Sequence, residues 1–386
     1  MRIGLVLAAT PPYSETFFKN KIRILKEHGY DVFLLTDRKK GNFEECEERI
    51  GFSVEGLSVS ILIKTIFRLL SNFNTAIKLF KLNRRDGFTV SKNVLSVMTS
   101  AHMFGLKLNW LHFGFATIAI GRENTASAIG AKMAVSVRGS DMHVYTIEHP
   151  NCYALTWKRI DRLHPISHYL LNLARMNGFS ESTATYKIIT PAIDTQFFSP
   201  KINRGVNKVP KICTVARLHW IKGLEYVIEA LALMRNRGFD FEYHIIGDGD
   251  DYKRLYFAAH QFNLTDKIYF HGKQSQDVIN EFLSQADLFV MYSLDEGFCN
   301  SVLEAQAMGC LTLVSNHPAL IENVVDNETG WVVEARNPKV LAESMEKVLN
   351  LPNDEVKRIR ENAMRRVKES FNLKIQQEAF AHFYEN

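Results

Sequence analysis

Short apolar runs rich in branched residues alternate along this chain with segments whose apolar positions recur every three or four residues. In the first half, Ile3–Leu7, Tyr30–Leu35, Leu108–His112, Met133–Val137 and Arg162–Ile166 predict buried strands, and Thr16–His28 predicts an amphipathic helix. In the second half, Lys211–Ala216, Tyr243–Ile246, Lys267–Phe270, Leu288–Tyr292 and Leu311–Val314 read as strands. Gly223–Arg235, with Leu224, Val227, Ile228 and Leu231 on one face, reads as a helix, as does Asn300–Met308, stopped by Gly309. Further helices over Asn337–Leu349, Asp354–Glu369 and Leu373–Tyr384 close the chain. Strand–helix alternation of this kind predicts an α/β protein with parallel, doubly wound sheets. Its ligands should gather outside the carboxyl ends of the strands. The 386 residues suffice for two domains, and the polar stretch Pro200–Pro210 is the best linker, giving domains over 1–199 and 200–369.

One segment stands apart. Ile61–Arg85 carries Lys64, Arg68, Lys78, Lys81, Arg84 and Arg85 with no acid, interleaved with Ile66, Phe67, Leu69, Leu70, Phe73, Ile77, Leu79 and Phe80. Such a basic amphipathic helix either lies on an anionic membrane surface or is a core helix with a solvated basic edge. The rest of the composition narrows the class. An apolar share of 46% and a charged share of 23% are those of an ordinary globular protein. The first residues read as a core strand, not a signal peptide, and no apolar run reaches the ~20 residues that span a bilayer. Cys46, Cys152, Cys213, Cys299 and Cys310 are scattered and form no C-x-x-C pair, which predicts reduced thiols and a cytoplasmic protein. A net charge of +5 admits an anionic ligand without calling for nucleic acid, and no nucleic-acid motif is present.

The densest chemistry lies in Asp287–Ser315, a strand–loop–helix–strand unit with Glu296 in the loop and Glu304 in the helix. Glu296 is either a functional carboxylate or an ordinary polar loop residue. Glu304 either reaches a ligand or closes a capping box with Ser301. The amides of Asn300 and Ser301 open a helix, which suits a phosphate. Arg217 ends one strand and Lys222 precedes the next helix, so together they make a diphosphate site; alone, each reads as surface charge. Gly247-Asp248-Gly249-Asp250 reads as a turn after a strand and not as a metal site, because no other carboxylate or histidine set has ligand spacing. No G-x-G-x-x-G follows the first strand, so a dinucleotide fingerprint is absent. Ser14 in that first loop is explained locally as a helix cap.

Glu296-Gly297-Phe298-Cys299-Asn300-Ser301 with Glu304, followed by Ala305, Ala307 and Gly309, resembles the paired-glutamate signature of retaining GT-B glycosyltransferases, family 4. The pattern Arg217-Leu218 with Lys222-Gly223 is similar to the same family's R-L-x-x-x-K-G. Ser14-Glu15-Thr16-Phe17 resembles a variant common among polysaccharide-building members, and the glycine pair that many relatives place here is missing. The resemblance implies two Rossmann-like domains facing a central cleft, with the last helix, 370–386, returning to the first domain. It also implies a metal-independent retaining transfer from a nucleotide-diphosphate sugar, UDP- or GDP-linked, with no other cofactor. The acceptor would be a glycan or lipid-linked molecule of bacterial surface polysaccharide synthesis, reached at the inner face of the cytoplasmic membrane. By the same resemblance, Glu296 holds the sugar, and Arg217 and Lys222 complete the catalytic set. Glu304, Gly297, Phe298, Asn300, Ser301, Gly247, Gly272 and Lys273 surround the nucleotide. Ser14, Glu15, Thr16, His112, Arg138 and Asp141 lie on the acceptor and sugar side; Arg138 stands where relatives usually have histidine. Two other readings stay open. One is a sugar-nucleotide epimerase of the same shape, whose acid and base residues are not evident. The other is a non-catalytic, sugar-nucleotide-binding component of a polysaccharide assembly complex.

Overall fold

Each apolar run named above folds as a strand of a parallel sheet. The computed structural model describes the chain except residues 12–15, 42, 54–57, 201–206 and 386. The first sheet contains β1 (Arg2–Ala9), β2 (Asp31–Arg38), β3 (Glu47–Ile50), β4 (Trp110–Phe113), β5 (Lys132–Val137), β6 (Arg162–Pro165) and β7 (Thr185–Tyr186), in the order β3-β2-β1-β4-β5-β6-β7. The second contains β8 (Lys211–Val215), β9 (Glu242–Ile246), β10 (Ile268–Phe270), β11 (Leu288–Met291), β12 (Leu311–Ser315) and β13 (Trp331–Val333), in the order β10-β9-β8-β11-β12-β13. All named pairings are parallel; Ile3, for example, sits opposite Val32 on one side and Trp110 on the other. Central strands are covered on both faces, which is why Ile3–Leu7 and Leu288–Met291 are continuous apolar runs and not alternating ones.

The sequence pattern misses β3, β7 and β13. Glu47–Ile50 carries three charged residues on an edge, Thr185–Tyr186 has two residues, and Trp331–Val333 has three. None is long enough to show a period. The basic segment also differs from a single helix. It forms two, Val59–Ser71 and Phe73–Arg85, which break at Asn72, whose side-chain amide donates to Arg68 O at 2.9 Å. An asparagine that bonds the backbone of the preceding turn competes with helix continuation.

The chain divides into two compact units, Met1–Ile189 with Gln377–Asn386, and Thr190–Gln376. The boundaries differ from 199 and 370, and the contacts say why. Ile193 bridges Asn372, the Gln376 amide donates to Thr190 O at 2.7 Å, and Asn280 donates to Phe197 O at 2.7 Å. The first two bonds join 190–193 to 372–376, and the third ties Phe197 to the helix Gln276–Gln285 of the second unit. Most of the linker read at 200–210 lies outside the described residues.

In the first unit, the chain's last turn is fastened by a buried polar relay. Tyr384 Oη is 2.6 Å from His112 Nδ1, His112 Nε2 is 2.7 Å from Ser136 Oγ, and Ser136 Oγ is 2.7 Å from His164 Nδ1. His164 Nε2 ends the relay 3.1 Å from Ile189 O. A carbonyl only accepts, so His164 Nε2 carries the hydrogen and Nδ1 accepts from Ser136. Ser136 then accepts from His112 Nε2–H, and Tyr384 donates to His112 Nδ1. Every member is satisfied with both histidines neutral. Burial, then the Lys21 charge, drives both imidazoles well below their ordinary pKa, which agrees with that assignment.

Candidate functional site

In the second sheet the strand order reverses between β8 and β11, so their carboxyl ends frame the switch point where open α/β sheets bind ligands. After β8 the chain runs through Arg217 and a 3₁₀ turn, Trp220–Lys222, into the helix Leu224–Asn236. After β11 it runs through Ser293–Cys299 into the helix Asn300–Ala307. The two loops are stitched together by Leu294 N–H donating to Ile221 O at 2.6 Å. Gly223 is required here, since its φ is +60° and a Cβ would collide with Tyr292 O.

This juxtaposition joins two residues that lie 74 positions apart, Lys222 and Glu296, as an ion pair. Ser293 Oγ donates to the same Glu296 oxygen at 3.0 Å, and Ser315 Oγ fixes Ser293 by donating to its carbonyl at 2.5 Å. Burial alone would depress the Lys222 ammonium, but the charge and hydrogen bond of Glu296 outweigh it and raise its pKa. Arg217 is exposed and has no ion pair among the described residues; it lies near enough for its charge to oppose that of Lys222. The site therefore holds one neutralised cation and one available cation.

The helix Asn300–Ala307 is held by a residue that local sequence does not indicate. Asn323, fully buried, donates to Cys299 O at 3.1 Å and accepts from Cys299 N–H at 3.2 Å. Cys299 is the N-cap, so Glu304 falls beyond the first turn and closes no capping box with Ser301. That alternative is corrected by the helix starting two residues earlier than the box needs. Glu304 takes no hydrogen bond from the described residues, and burial pushes its carboxyl up to about 7. Glu304 is half-buried, and a carboxylate taken partly from water without a donor is disfavoured in the charged form. A ligand that brings hydroxyl donors would remove that cost.

The other sequence-derived residues divide by environment. Gly247, with φ at +145°, would collide with Ala216 O if it had a Cβ; its N–H donates to Gly272 O at 2.9 Å. Its glycine is explained by backbone packing across β8, β9 and β10. Asp248 bonds its own turn at Gly249 N, 2.8 Å away, and Asp248 and Asp250 are exposed. No group of three or more His, Cys, Asp or Glu side chains is placed to hold a metal among the described residues. Gly272 faces open space with φ at +64°, and Lys273 beside it is exposed. Gly297 is buried, and Phe298 is buried against Phe371, ring centroids 5.7 Å apart, so its ring packs and is not offered to a ligand. Asn300 is exposed and Ser301 half-buried at the helix start.

In the first unit, Ser14 and Glu15 lie outside the described residues, and Thr16 begins the helix Thr16–Glu27. His112 is fully buried inside the relay, which leaves it no surface to offer an acceptor. Asp141 is 2% exposed and accepts from the amides of Arg138, Gly139 and Ala116 at 3.0, 2.8 and 3.3 Å. It shapes the turn after β5 and is likewise closed to an acceptor. The Arg138 guanidinium lies 3.8 Å from the centroid of the Phe17 ring and 4.9 Å from that of Phe18, a cation–π arrangement that a histidine would not reproduce.

Residues 195–366 match the family described as glycosyl transferases group 1. Over 97% of both chains, the protein is 26% identical to the putative colanic acid biosynthesis glycosyltransferase WcaL of Escherichia coli (strain K12). Over 89% of both, it is 25% identical to the amylovoran biosynthesis glycosyltransferase AmsK of Erwinia amylovora. A glycosyltransferase from Rickettsia africae ESF-5 superimposes with a TM-score of 0.72 at 18% identity, over 100% of this chain and 99% of that one. The sucrose-phosphate synthase of Thermosynechococcus elongatus gives 0.76 at 15%, over 99% and 98%. At such identities the structural likeness is one of fold.

Proposed function

We propose that this glycosyltransferase, whose residues 195–366 match glycosyl transferases group 1, carries out a metal-independent, retaining transfer from a nucleotide-diphosphate sugar. The acceptor is a glycan or lipid-linked saccharide of a bacterial surface polysaccharide, a reading supported by relatives named for colanic acid and amylovoran biosynthesis. The observation that carries the reading is the switch-point assembly: Lys222 paired with Glu296, Arg217 available beside them, and Glu304 half-buried, without a donor among the described residues, on the neighbouring helix.

Donor binding replaces the resting ion pair. The diphosphate takes Lys222, Arg217 and the amides of Asn300 and Ser301. Glu296, released from Lys222, accepts from the sugar hydroxyls, while Glu304 accepts from the ribose. As the glycosidic C–O bond breaks, negative charge grows on the leaving phosphate, where the two cations and the amide dipoles act most strongly. The acceptor hydroxyl attacks from the face the phosphate leaves. It passes its proton to the departing phosphate oxygen, so the anomeric configuration is kept.

Purified protein screened against UDP-, GDP- and ADP-sugars tests this. A ligand at 100 times its Kd stabilises the fold by ~2.7 kcal/mol, so one nucleotide should raise Tm clearly. Turnover should persist in excess EDTA, and NMR of the product should show the donor's anomeric configuration. An inverted product rules out retention. Activity lost in EDTA and restored by Mn²⁺ rules out metal independence.

A further inference from the structure

The loop that carries Glu296 is held at points along its whole length. Ser315 Oγ donates to Ser293 O at 2.5 Å, and Leu294 N–H donates to Ile221 O at 2.6 Å. Asn323 bonds both backbone groups of Cys299, at 3.2 and 3.1 Å. Asp295, the residue before Glu296, has a partner as well, since His317 Nε2 lies 3.5 Å from its Oδ1. His317 and Asn323 stand at the two ends of one short helix, Pro318–Asn323, the first as its N-cap and the second as its last residue. One element therefore grips the Glu296 loop from both sides.

The cap contact sets the His317 ring. Ala319 N–H donates to Nδ1 at 3.3 Å, so in the neutral ring the hydrogen sits on Nε2, the atom that faces Asp295. The two side chains are 9% and 26% exposed, which limits how far water screens that N–H dipole from the carboxylate. The helix is itself seated from outside. Asn316, just before it, donates from its backbone to Val333 O at 2.7 Å and accepts from Ala335 N–H at 3.0 Å. At the other end Arg366, from the helix Asn353–Ser370, donates to Glu322 O and Asn323 O at 2.7 Å each.

This support matters because of what donor binding does to Glu296. In the resting site its carboxylate is paired with Lys222. Once a diphosphate takes Lys222, a carboxylate on a loose loop follows the cation or turns to water. A backbone fixed at Ser293, Leu294, Asp295 and Cys299 keeps Glu296 where the sugar hydroxyls meet it, with no ordering left for the moment of reaction.

We propose that the helix Pro318–Asn323 is a bracket for the Glu296 loop, and that His317, acting through Asp295, is a positioning residue for sugar transfer. His317 acts on the rate by holding Glu296 in place, not by touching the reacting atoms. This rests on the glycosyltransferase reading and adds to it a residue outside every motif read from the sequence.

The test uses the full-length protein and the nucleotide sugar that raises Tm in the screen above, with kcat, KM, nucleoside diphosphate Kd and Tm measured on every variant. His317→Asn keeps a side-chain oxygen for the helix cap but is shorter than the ring that faces Asp295. Asp295→Ala removes the other end of the contact and leaves the cap alone. Each should cut kcat by about ten-fold or more at unchanged KM, because a small displacement of a positioned group has effects of that order. Nucleoside diphosphate Kd and Tm should stay as in the wild type. Asp295→Asn still accepts from His317 and should restore most of the rate. His317→Asn with Asp295→Ala should be no slower than either single variant, since both remove one contact. Unchanged kcat in the single variants, losses that multiply in the double variant, or a fall in nucleoside diphosphate affinity and Tm alongside kcat overturns the inference while leaving the donor reading intact. A wild type that binds no nucleoside diphosphate overturns the donor reading, and the role of the bracket with it.

Discussion

Glu304 separates ligand chemistry from helix chemistry most cleanly at the residue scale. Its carboxyl is raised to about 7 by burial alone. A folded pKa above the unfolded value means that the group contributes stability below about pH 4.3, lost as pH rises through 7. Ligand hydroxyls require the charged form, so nucleotide affinity should move the other way and strengthen as pH rises through 7. Glu304→Gln should flatten both trends and weaken nucleoside diphosphate binding by roughly 1–3 kcal/mol. Calorimetric Kd values and melting curves from pH 5.5 to 8 check this. The Lys222–Glu296 pair calls for a second experiment. Removing one partner of a buried pair costs roughly 3–5 kcal/mol, whereas an apolar replacement of both is often nearly neutral. Lys222→Met should therefore be destabilised, and Lys222→Met with Glu296→Leu should regain most of the loss in urea unfolding. Nucleotide binding should be lost in both. Recovery of binding along with stability would make the pair a structural one.

Two devices deserve separate tests at the scale of elements. Asn323 clamps the N-terminus of the helix Asn300–Ala307 from a distant position. Asn323→Ala leaves the buried Cys299 amide without its partner, at roughly 1–3 kcal/mol. It should also weaken nucleotide binding although it touches no ligand; a loss of stability with unchanged Kd would limit Asn323 to the fold. The helices Val59–Ser71 and Phe73–Arg85 carry an exposed apolar face. Of the six cations in this region, Arg85 faces Asp86, while Arg68 and Arg84 donate to the neutral carbonyls of Ile50 and Phe88 and keep their charge alongside Lys64, Lys78 and Lys81. Flotation with vesicles containing phosphatidylglycerol should weaken with salt, since exposed charges are screened over about 8–10 Å near physiological ionic strength. It should be lost in Phe67→Ser with Leu70→Ser, more than in Arg68→Gln. Equal flotation of all variants would show that this face does not meet the membrane.

Across the whole molecule, the relay from Tyr384 to Ile189 O fastens the end of the chain to the first sheet. Its histidines have pKa values well below the unfolded value. Their contribution is thus present above about pH 6.5 and lost as pH falls. His112→Gln can keep both bonds, accepting from Tyr384 and donating to Ser136, but cannot take up a proton. Its melting temperature should fall less steeply than that of the wild type between pH 7 and 5, by up to one proton, or about 1.4 kcal/mol per pH unit. Tyr384→Phe removes the short hydroxyl bond to His112 Nδ1 and leaves it only Lys21 Nζ at 3.3 Å, which should cost roughly 1–3 kcal/mol at pH 7.

Much of this was written into local sequence. Central parallel strands are buried on both faces, so their apolar runs identify them without any knowledge of their neighbours. Arg217, Lys222 and Glu296 stand out because they sit where strands end and helices begin, and Glu304 because it completes the motif that starts at Glu296. Edge strands such as Glu47–Ile50 were hidden, because an edge needs little apolar surface and a short one shows no period. Tertiary structure alone decided the pairing of Lys222 with Glu296, the clamp on Cys299, the burial of His112 and the meeting of His317 with Asp295. Each depends on a partner far away in sequence, brought near by strand order. Composition and spacing carry no information about which distant polar group will meet another, and that meeting sets the desolvation, the pKa and the access on which function depends.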